Sequence, residues 1–207
     1  MEWSLTAPCR PRPTPSRLLA LPVELRDLIL EYVLSFSKPM VTFRLDDYQR
    51  DCLSESTQPP LLFVNKQIRA EGLPIFYGCN EFVIHNEEAK LKDGRAWLLR
   101  HERYFLLIKK MAFRMRFVNL LNARSSQGAI ALHLARKTGP QKWNVGDSWE
   151  WITVVRKPGG LDVDANFLVT KLRQLLRDEY EDGRLTADRT WSCLFELKGC
   201  YIVEKMS

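Results

Sequence analysis

The sequence predicts an α+β fold: a helical N-terminal module packed on a C-terminal unit that holds a small sheet and at least two helices. Three observations carry that prediction. Apolar residues recur at helical spacing from Leu21 to Phe36, strict alternation marks Met111–Phe117 as a strand, and helical spacing returns from Phe167 to Tyr180. The chain has 207 residues, 45% apolar and 27% charged, the balance of a globular chain that can bury a core.

Residues 1–17, MEWSLTAPCRPRPTPSR, are rich in Pro and Arg and are expected to be an extended or disordered tail. Pro8, Pro11, Pro13 and Pro15 interrupt them, and the apolar stretch Leu18–Val23 is too short for a signal peptide. The first helix follows. Leu21, Leu25, Leu28, Ile29, Tyr32, Val33 and Phe36 form one stripe, with Arg26, Asp27 and Glu31 on the opposite face. Pro22 suits a first turn, where its missing N–H costs nothing, and Glu24 and Asp27 sit near the positive end of the helix dipole. Met40–Leu45 reads as a short strand and the polar stretch to Gln58 as loop, so residues 37–58 form an insertion. Pro59-Pro60 opens a second helix with Leu61, Val64, Ile68 and Gly72 in a stripe, widened by Leu62 and Phe63. Pro74 is expected to break or kink it, leaving a short turn that ends at Gly78 as a left-handed cap. Glu81–His85 reads as a strand.

Beyond it, Asp93–Leu107 has helical spacing at Trp97, Arg100 and Tyr104. Met111, Phe113, Met115 and Phe117 alternate with Ala112, Arg114 and Arg116, a half-buried strand. Ala129–Ala135 and Trp149–Val155 are two further strands, separated by a loop holding Gly139, Pro140 and Gly146. Lys157-Pro158-Gly159-Gly160 is a turn. Asp164 is placed to cap a long helix with Phe167, Leu168, Leu172, Leu175, Leu176 and Tyr180 on its apolar face, ended by Gly183. Trp191–Val203 fits helix and strand equally. The division expected is a tail at 1–17, a helical module at 18–80 and an α+β unit at 81–207.

The chemistry-bearing residues are sparse. Cys9, Cys52, Cys79, Cys193 and Cys200 are odd in number and lack a C-x-x-C pair, so free thiols in a reducing compartment are expected, and neither a disulfide framework nor a zinc site. No apolar run reaches the roughly 20 residues that span a bilayer, and cytoplasm or nucleus is the expected location. His85, His101 and His133 fall in separate elements, and a Cys79/His85 pair lacks an orienting third group. Asp46, Asp47 and Asp51 sit in a polar loop and read as solvated, not as a magnesium site. Phosphate loops, dinucleotide fingerprints and nucleophile elbows are missing, so no catalytic residue, cofactor or metal is assigned. Trp143, Trp149 and Trp151 read as core before interface anchors. Charge is uneven: ten Lys or Arg against Asp93 and Glu102 between Lys90 and Arg124 give 10 − 2 = +8, so the rest of a chain of net +6 sums to −2.

Two segments carry a resemblance. LLALPVELRDLILEYVL (Leu18–Leu34) and LLFVNKQIRAEGLPIFYGCNEFVI (Leu61–Ile84) resemble the F-box-like proteins of fungi. These open with a Leu-Pro-x-Glu-Leu-Arg helix and later carry Ile-Arg-x-Glu leading into Phe-Tyr-Gly-x-Asn-x-Phe. The matching residues are Leu21, Pro22, Glu24, Leu25 and Arg26, then Leu61, Leu62, Ile68, Arg69, Glu71, Phe76, Tyr77, Gly78, Asn80 and Phe82. Asn65-Lys66-Gln67 replaces the family's usual Cys-Arg-Gln, and Ser37–Gln58 separates helices that an ordinary F-box holds close together. The resemblance implies docking on the Skp-type adaptor of a cullin ubiquitin ligase through Leu21, Pro22, Leu25 and Ile29, with the rest of the chain presenting a substrate protein. The competing reading packs Leu25, Leu28, Ile29 and Tyr32 against Val64, Ile68 and Phe76 as core. Phe76–Asn80 reads as a structural corner in which Gly78 and Asn80 supply unusual backbone angles.

The function expected is therefore a protein-interaction scaffold, an F-box-like substrate adaptor and not an enzyme. The alternative is a nucleic-acid-associated protein using the basic belt 90–124. Scattered cations without an aromatic platform limit that to weak, non-specific contact.

Overall fold

The computed structural model describes residues 16–42, 54–85, 88–117, 128–136, 142–152, 158–181 and 186–206. In chain order these form α1 (Val23–Leu34), β1 (Met40–Val41), β2 (Ser54–Glu55), a 3₁₀ turn (Pro60–Phe63), α2 (Lys66–Cys79), β3 (Glu81–His85) and α3 (Glu88–Arg100). A second 3₁₀ turn (Glu102–Leu107), β4 (Lys110–Arg116), β5 (Ala129–Arg136), β6 (Trp143–Ile152), α4 (Leu161–Glu181) and α5 (Ala187–Met206) follow. The strands make one mixed sheet in the order β2-β1-β3-β4-β5-β6. β1, β2, β3 and β4 pair in parallel, with α3 crossing from β3 to β4, and β5 and β6 are antiparallel hairpin-type neighbours. The chain is thus mixed helix and sheet, and the strand β1 that follows α1 belongs to the same sheet as β4 to β6.

Alternation decides what each sheet face does. Phe82, Ile84, Met111, Phe113, Met115, Ile130, Leu132 and Leu134 point into a single core that also takes in Leu30 and Leu34 of α1, Phe76 of α2, Trp97 of α3, Leu168 and Leu172 of α4, and Leu194 and Tyr201 of α5. Residues of 18–80 and of 81–207 therefore share that core. The other face carries a small buried row, Val41–Val83–Ala112, paired in register, and around it Glu81, Lys110, Arg114 and His133.

Several boundaries differ from the sequence expectation, each for a local reason. The second helix begins at Lys66, not at Pro59-Pro60, because the Asn65 side chain accepts the Gln67 N–H at 2.7 Å and caps it there. Val64, expected in its stripe, is 71% exposed, while Leu62 takes the buried place. Pro74 does not break α2, which runs on to Cys79. Pro74 and Ala70, whose carbonyl loses its partner, both lie on the solvent side, where water can bond the carbonyl. Gly78 is interior to α2 and is no left-handed cap; among the described residues only Gly160, in the turn before α4, has positive φ (+78°). Asp93–Leu107 divides into α3 and a 3₁₀ turn, β6 starts at Trp143 and so includes Gly146, and Asp164 lies inside α4. Buried Asp164 accepts the Tyr201 hydroxyl at 3.0 Å and pairs with Lys205 Nζ at 2.6 Å, tying α4 to α5 in place of capping. The open segment Trp191–Val203 is helical, within α5. Cys9, Cys52, Asp46, Asp47, Asp51, Gly139, Pro140 and Gly183 lie outside the described residues.

Candidate interaction surface on the first helix

α1 turns the face richest in apolar residues outward. Leu30 and Leu34, one turn apart, are buried at 1% and 0% exposure, and Arg26 stands one turn before them on the same side. The opposite side carries Leu25, Leu28, Ile29 and Tyr32, all exposed, Leu28 at 62% and Tyr32 at 88%. Val33 and Phe36 border it, and Phe36 meets buried Phe76 edge to face at 6.5 Å. This overturns the competing reading, in which Leu25, Leu28, Ile29 and Tyr32 pack on Val64, Ile68 and Phe76, and corrects the expectation that Arg26 faces away from the core. Of the four residues carried by the resemblance, Pro22, Leu25 and Ile29 are exposed and Leu21 is half-buried at the helix entry.

Polar contacts hold the helix in this orientation. Arg26 Nε and Nη2 donate to Glu71 Oε2 and Oε1 of α2 at 3.0 and 2.7 Å, and Nη1 donates to the carbonyls of Leu19 and Leu21. One guanidinium thus fixes both the α1–α2 contact and the chain entering at Leu21-Pro22. The mutual hydrogen bond raises the Arg26 pKa and lowers that of Glu71, which also accepts from Gln67 Nε2 at 3.0 Å. At the far end Asn80, 1% exposed, donates through Nδ2 to the carbonyls of Leu34 (2.7 Å) and Phe76 (2.8 Å) and accepts the Phe36 N–H at 2.7 Å. The Phe76–Asn80 corner is therefore structural through the Asn80 amide, with ordinary backbone angles (φ −88°, ψ 152°) in place of the unusual ones expected.

Arg26, Glu71 and Asn80, all within the two segments that carry the resemblance, thus interlock as framework. Sequence reasoning missed these pairings, although Asn65 before a helical run is a readable cap signal. No protein-family model matches the chain, and no curated protein or solved structure matches it either.

The other residues singled out from sequence fall elsewhere. His133 lies on the outer sheet face with Nδ1 2.8 Å from Glu81 Oε1, and His101 is held through Nδ1 on the Trp97 carbonyl at 2.8 Å. Among the described residues no three of His, Cys, Asp and Glu gather as metal ligands, and no helix is long and apolar enough to cross a membrane. Cys79, Cys193 and Cys200 are free thiols, and burial pushes the Cys193 pKa up to about 12. Trp143 is buried, and Trp149 and Trp151 pack half-buried against the core. The cations of the belt are dispersed: Arg95 pairs with Asp188 of α5, Arg114 and Arg116 lie on the outer sheet face, and Lys109 lies against Gly78.

Proposed function

We propose that the chain is a protein-interaction scaffold whose docking element is the outward face of α1, in the manner of an F-box-like substrate adaptor that binds a Skp-type subunit of a cullin ligase. The observation that carries this reading is the exposure of Leu25, Leu28, Ile29 and Tyr32 on a helix clamped at both ends by Arg26–Glu71 and by Asn80. An apolar patch of this kind on a rigid helix is what a partner helix or groove buries. The clamps matter because a preorganised helix loses little conformational entropy on binding. Pro22 and Leu25 sit at the start of that face, where the resemblance places the adaptor contact. The enclosed remainder of the fold is then free to present a substrate protein, without an active site of its own.

The test is co-purification of the Skp-type adaptor with wild-type chain and with Leu25→Glu. Leu25 is half-exposed, so the thermal melt by circular dichroism is expected to be unchanged, while a carboxylate set into an apolar contact costs several kcal/mol and abolishes binding. A wild-type chain that does not retain the adaptor at micromolar concentration defeats the ligase reading.

A further inference from the structure

A cavity of about 760 Å³ lies away from the α1 face, between the edge of the sheet at Glu55–Gln58, the first 3₁₀ turn at Phe63, and the end of α3 with the turn that follows it. Its size is that of a small-molecule site, not of a macromolecular groove. Its lining is rich in arginine. Arg69, Arg100 and Arg103 line it against Glu55 and Asp93, 3 − 2 = +1, and none of the three arginines has a carboxylate partner among the described residues.

Arg69 is the centre of this arrangement. Its Nη1 donates to the Leu62 carbonyl at 3.2 Å, and its Nη2 to Gln58 Oε1 at 3.3 Å and to the Tyr104 hydroxyl at 3.0 Å, while the guanidinium lies 4.9 Å over the Phe63 ring. Every acceptor is neutral. A guanidinium has five N–H donors, so these three bonds leave two, on a half-buried cation already fixed in position. Arg103 is held as well, its guanidinium 4.5 Å over the Tyr104 ring, which in turn stacks on Tyr77 at 5.1 Å. Positive charge is thus held in place at Arg69 and Arg103, with no carboxylate paired to either among the described residues.

The remaining lining describes the body of the ligand. His101 gives its Nδ1 proton to the Trp97 carbonyl, which makes Nε2 an acceptor, and burial lowers its pKa, keeping the ring neutral. Glu55 and Asp93 add carboxylate acceptors on the same cavity. Acceptors of this kind suit hydroxyl or amino donors. Phe63, 65% exposed with Arg69 on one ring face, offers a flat apolar wall. We infer that this cavity binds a small organic phosphate of the nucleoside monophosphate class, with the phosphate on Arg69, Arg100 and Arg103 and the hydroxyl- and amine-bearing body toward Glu55, Asp93 and Phe63. The inference is independent of adaptor docking, since none of these residues lies on α1.

Isothermal titration of the full chain with adenosine monophosphate, uridine monophosphate, inorganic phosphate, adenosine and a phosphoserine peptide tests it. One of the monophosphates is expected to bind at least about tenfold more tightly than phosphate or adenosine, because each of these lacks one half of the contacts. Arg100→Gln and Arg103→Gln, both on exposed side chains, are expected to weaken that binding by about tenfold each with an unchanged melt. Arg69→Gln is expected to weaken it further, and its melt separates lost affinity from lost fold. The proposal is overturned if the monophosphates bind no better than inorganic phosphate, if the peptide binds more tightly than either monophosphate, if the Arg100 and Arg103 variants bind like wild type, or if millimolar monophosphate gives no heat.

Discussion

Arg26 on α1 and Glu71 on α2 meet through two parallel hydrogen bonds of 3.0 and 2.7 Å, and this pairing of residues 45 positions apart sets which side of α1 faces the protein. Fork-to-fork geometry is specific to arginine, since an ammonium cannot span both carboxylate oxygens and reach the Leu19 and Leu21 carbonyls as well. Arg26→Lys is therefore expected to lower the melting temperature although the charge is kept, and Glu71→Gln to lower it further. Differential scanning calorimetry at neutral pH reads both. Melts equal to wild type would show that the pair follows the helix packing and does not direct it.

Asn80 gives a sharper expectation, because its amide is buried and every bond it makes has a named partner. Asn80→Ala leaves the Leu34 and Phe76 carbonyls and the Phe36 N–H without it; at about 1 kcal/mol net per bond the loss is roughly 3 kcal/mol. Asn80→Asp keeps the acceptor but sets a carboxylate beside two carbonyl oxygens, so at neutral pH it is expected to destabilise at least as much as alanine. Urea denaturation of the two variants checks the order.

The orientation of α1 also predicts an inverted pattern of leucine sensitivity. Leu30→Ala and Leu34→Ala are expected to cost about 2–5 kcal/mol each, and Leu28→Ala to stay within about 0.5 kcal/mol. Gly72 belongs to the same contact. An added Cβ there meets Leu62 Cδ2 at 2.6 Å and Leu34 Cδ1 at 3.0 Å, both on fully buried side chains. The helix-propensity gain of about 1 kcal/mol is then outweighed by overpacking of about 1–3 kcal/mol, so Gly72→Ala is expected to destabilise. Thermal melts of the four variants decide it.

The elements themselves were legible because their periods are strong: α1, β3, β4 and α4 stand within a few residues of where apolar spacing places them. What spacing cannot tell is which side of a stripe is buried. The seven-residue stripe from Leu21 to Phe36 outweighs Leu30 and Leu34 by number, yet the smaller set is the core, because Arg26–Glu71 and Asn80 close only after residues far apart in sequence meet. α5 was illegible for another reason. Trp191, Leu194, Leu197 and Tyr201 follow helical spacing, but Cys193, Phe195 and Leu197 also alternate, and only packing on α3 and α4 chooses. The cavity around Arg69 was invisible because its lining comes from five separate stretches of chain.

His133 and Glu81 make stability depend on pH from both sides. Their 2.8 Å hydrogen bond raises the His133 pKa and lowers that of Glu81, with Glu150, Arg114 and Lys110 as the nearby charges. The raised histidine contributes stability that is complete below its unfolded pKa and is lost as pH rises through its folded one. The lowered carboxylate contributes above its unfolded pKa and is lost as pH falls through its folded one. The pair is thus expected to contribute most between the ordinary Glu and His values, about 4.3 and 6.5. Nuclear magnetic resonance titration of the His133 ring is expected to place its pKa above the ordinary value, and Glu81→Gln to bring it back. An unshifted His133 in the wild-type chain would refute the coupling.

Binding to nucleic acid is expected to be weak, and the placement of the basic belt gives the reason. Arg95 is engaged with Asp188, Arg100 and Arg103 turn into the cavity, Lys109 lies at Gly78, and Arg114 and Arg116 stand on the outer sheet face. A duplex lays its phosphates along one continuous track, and these cations share no single surface. A few phosphates at most can be neutralised together, so affinity is expected to fall with log salt by a slope of about −0.9 per phosphate contacted and to be negligible at physiological ionic strength. Fluorescence anisotropy with mixed duplex and single-stranded probes at low and physiological salt measures this. Submicromolar binding that survives physiological salt and discriminates between probes would reverse the order of the two readings and make nucleic acid the partner to pursue.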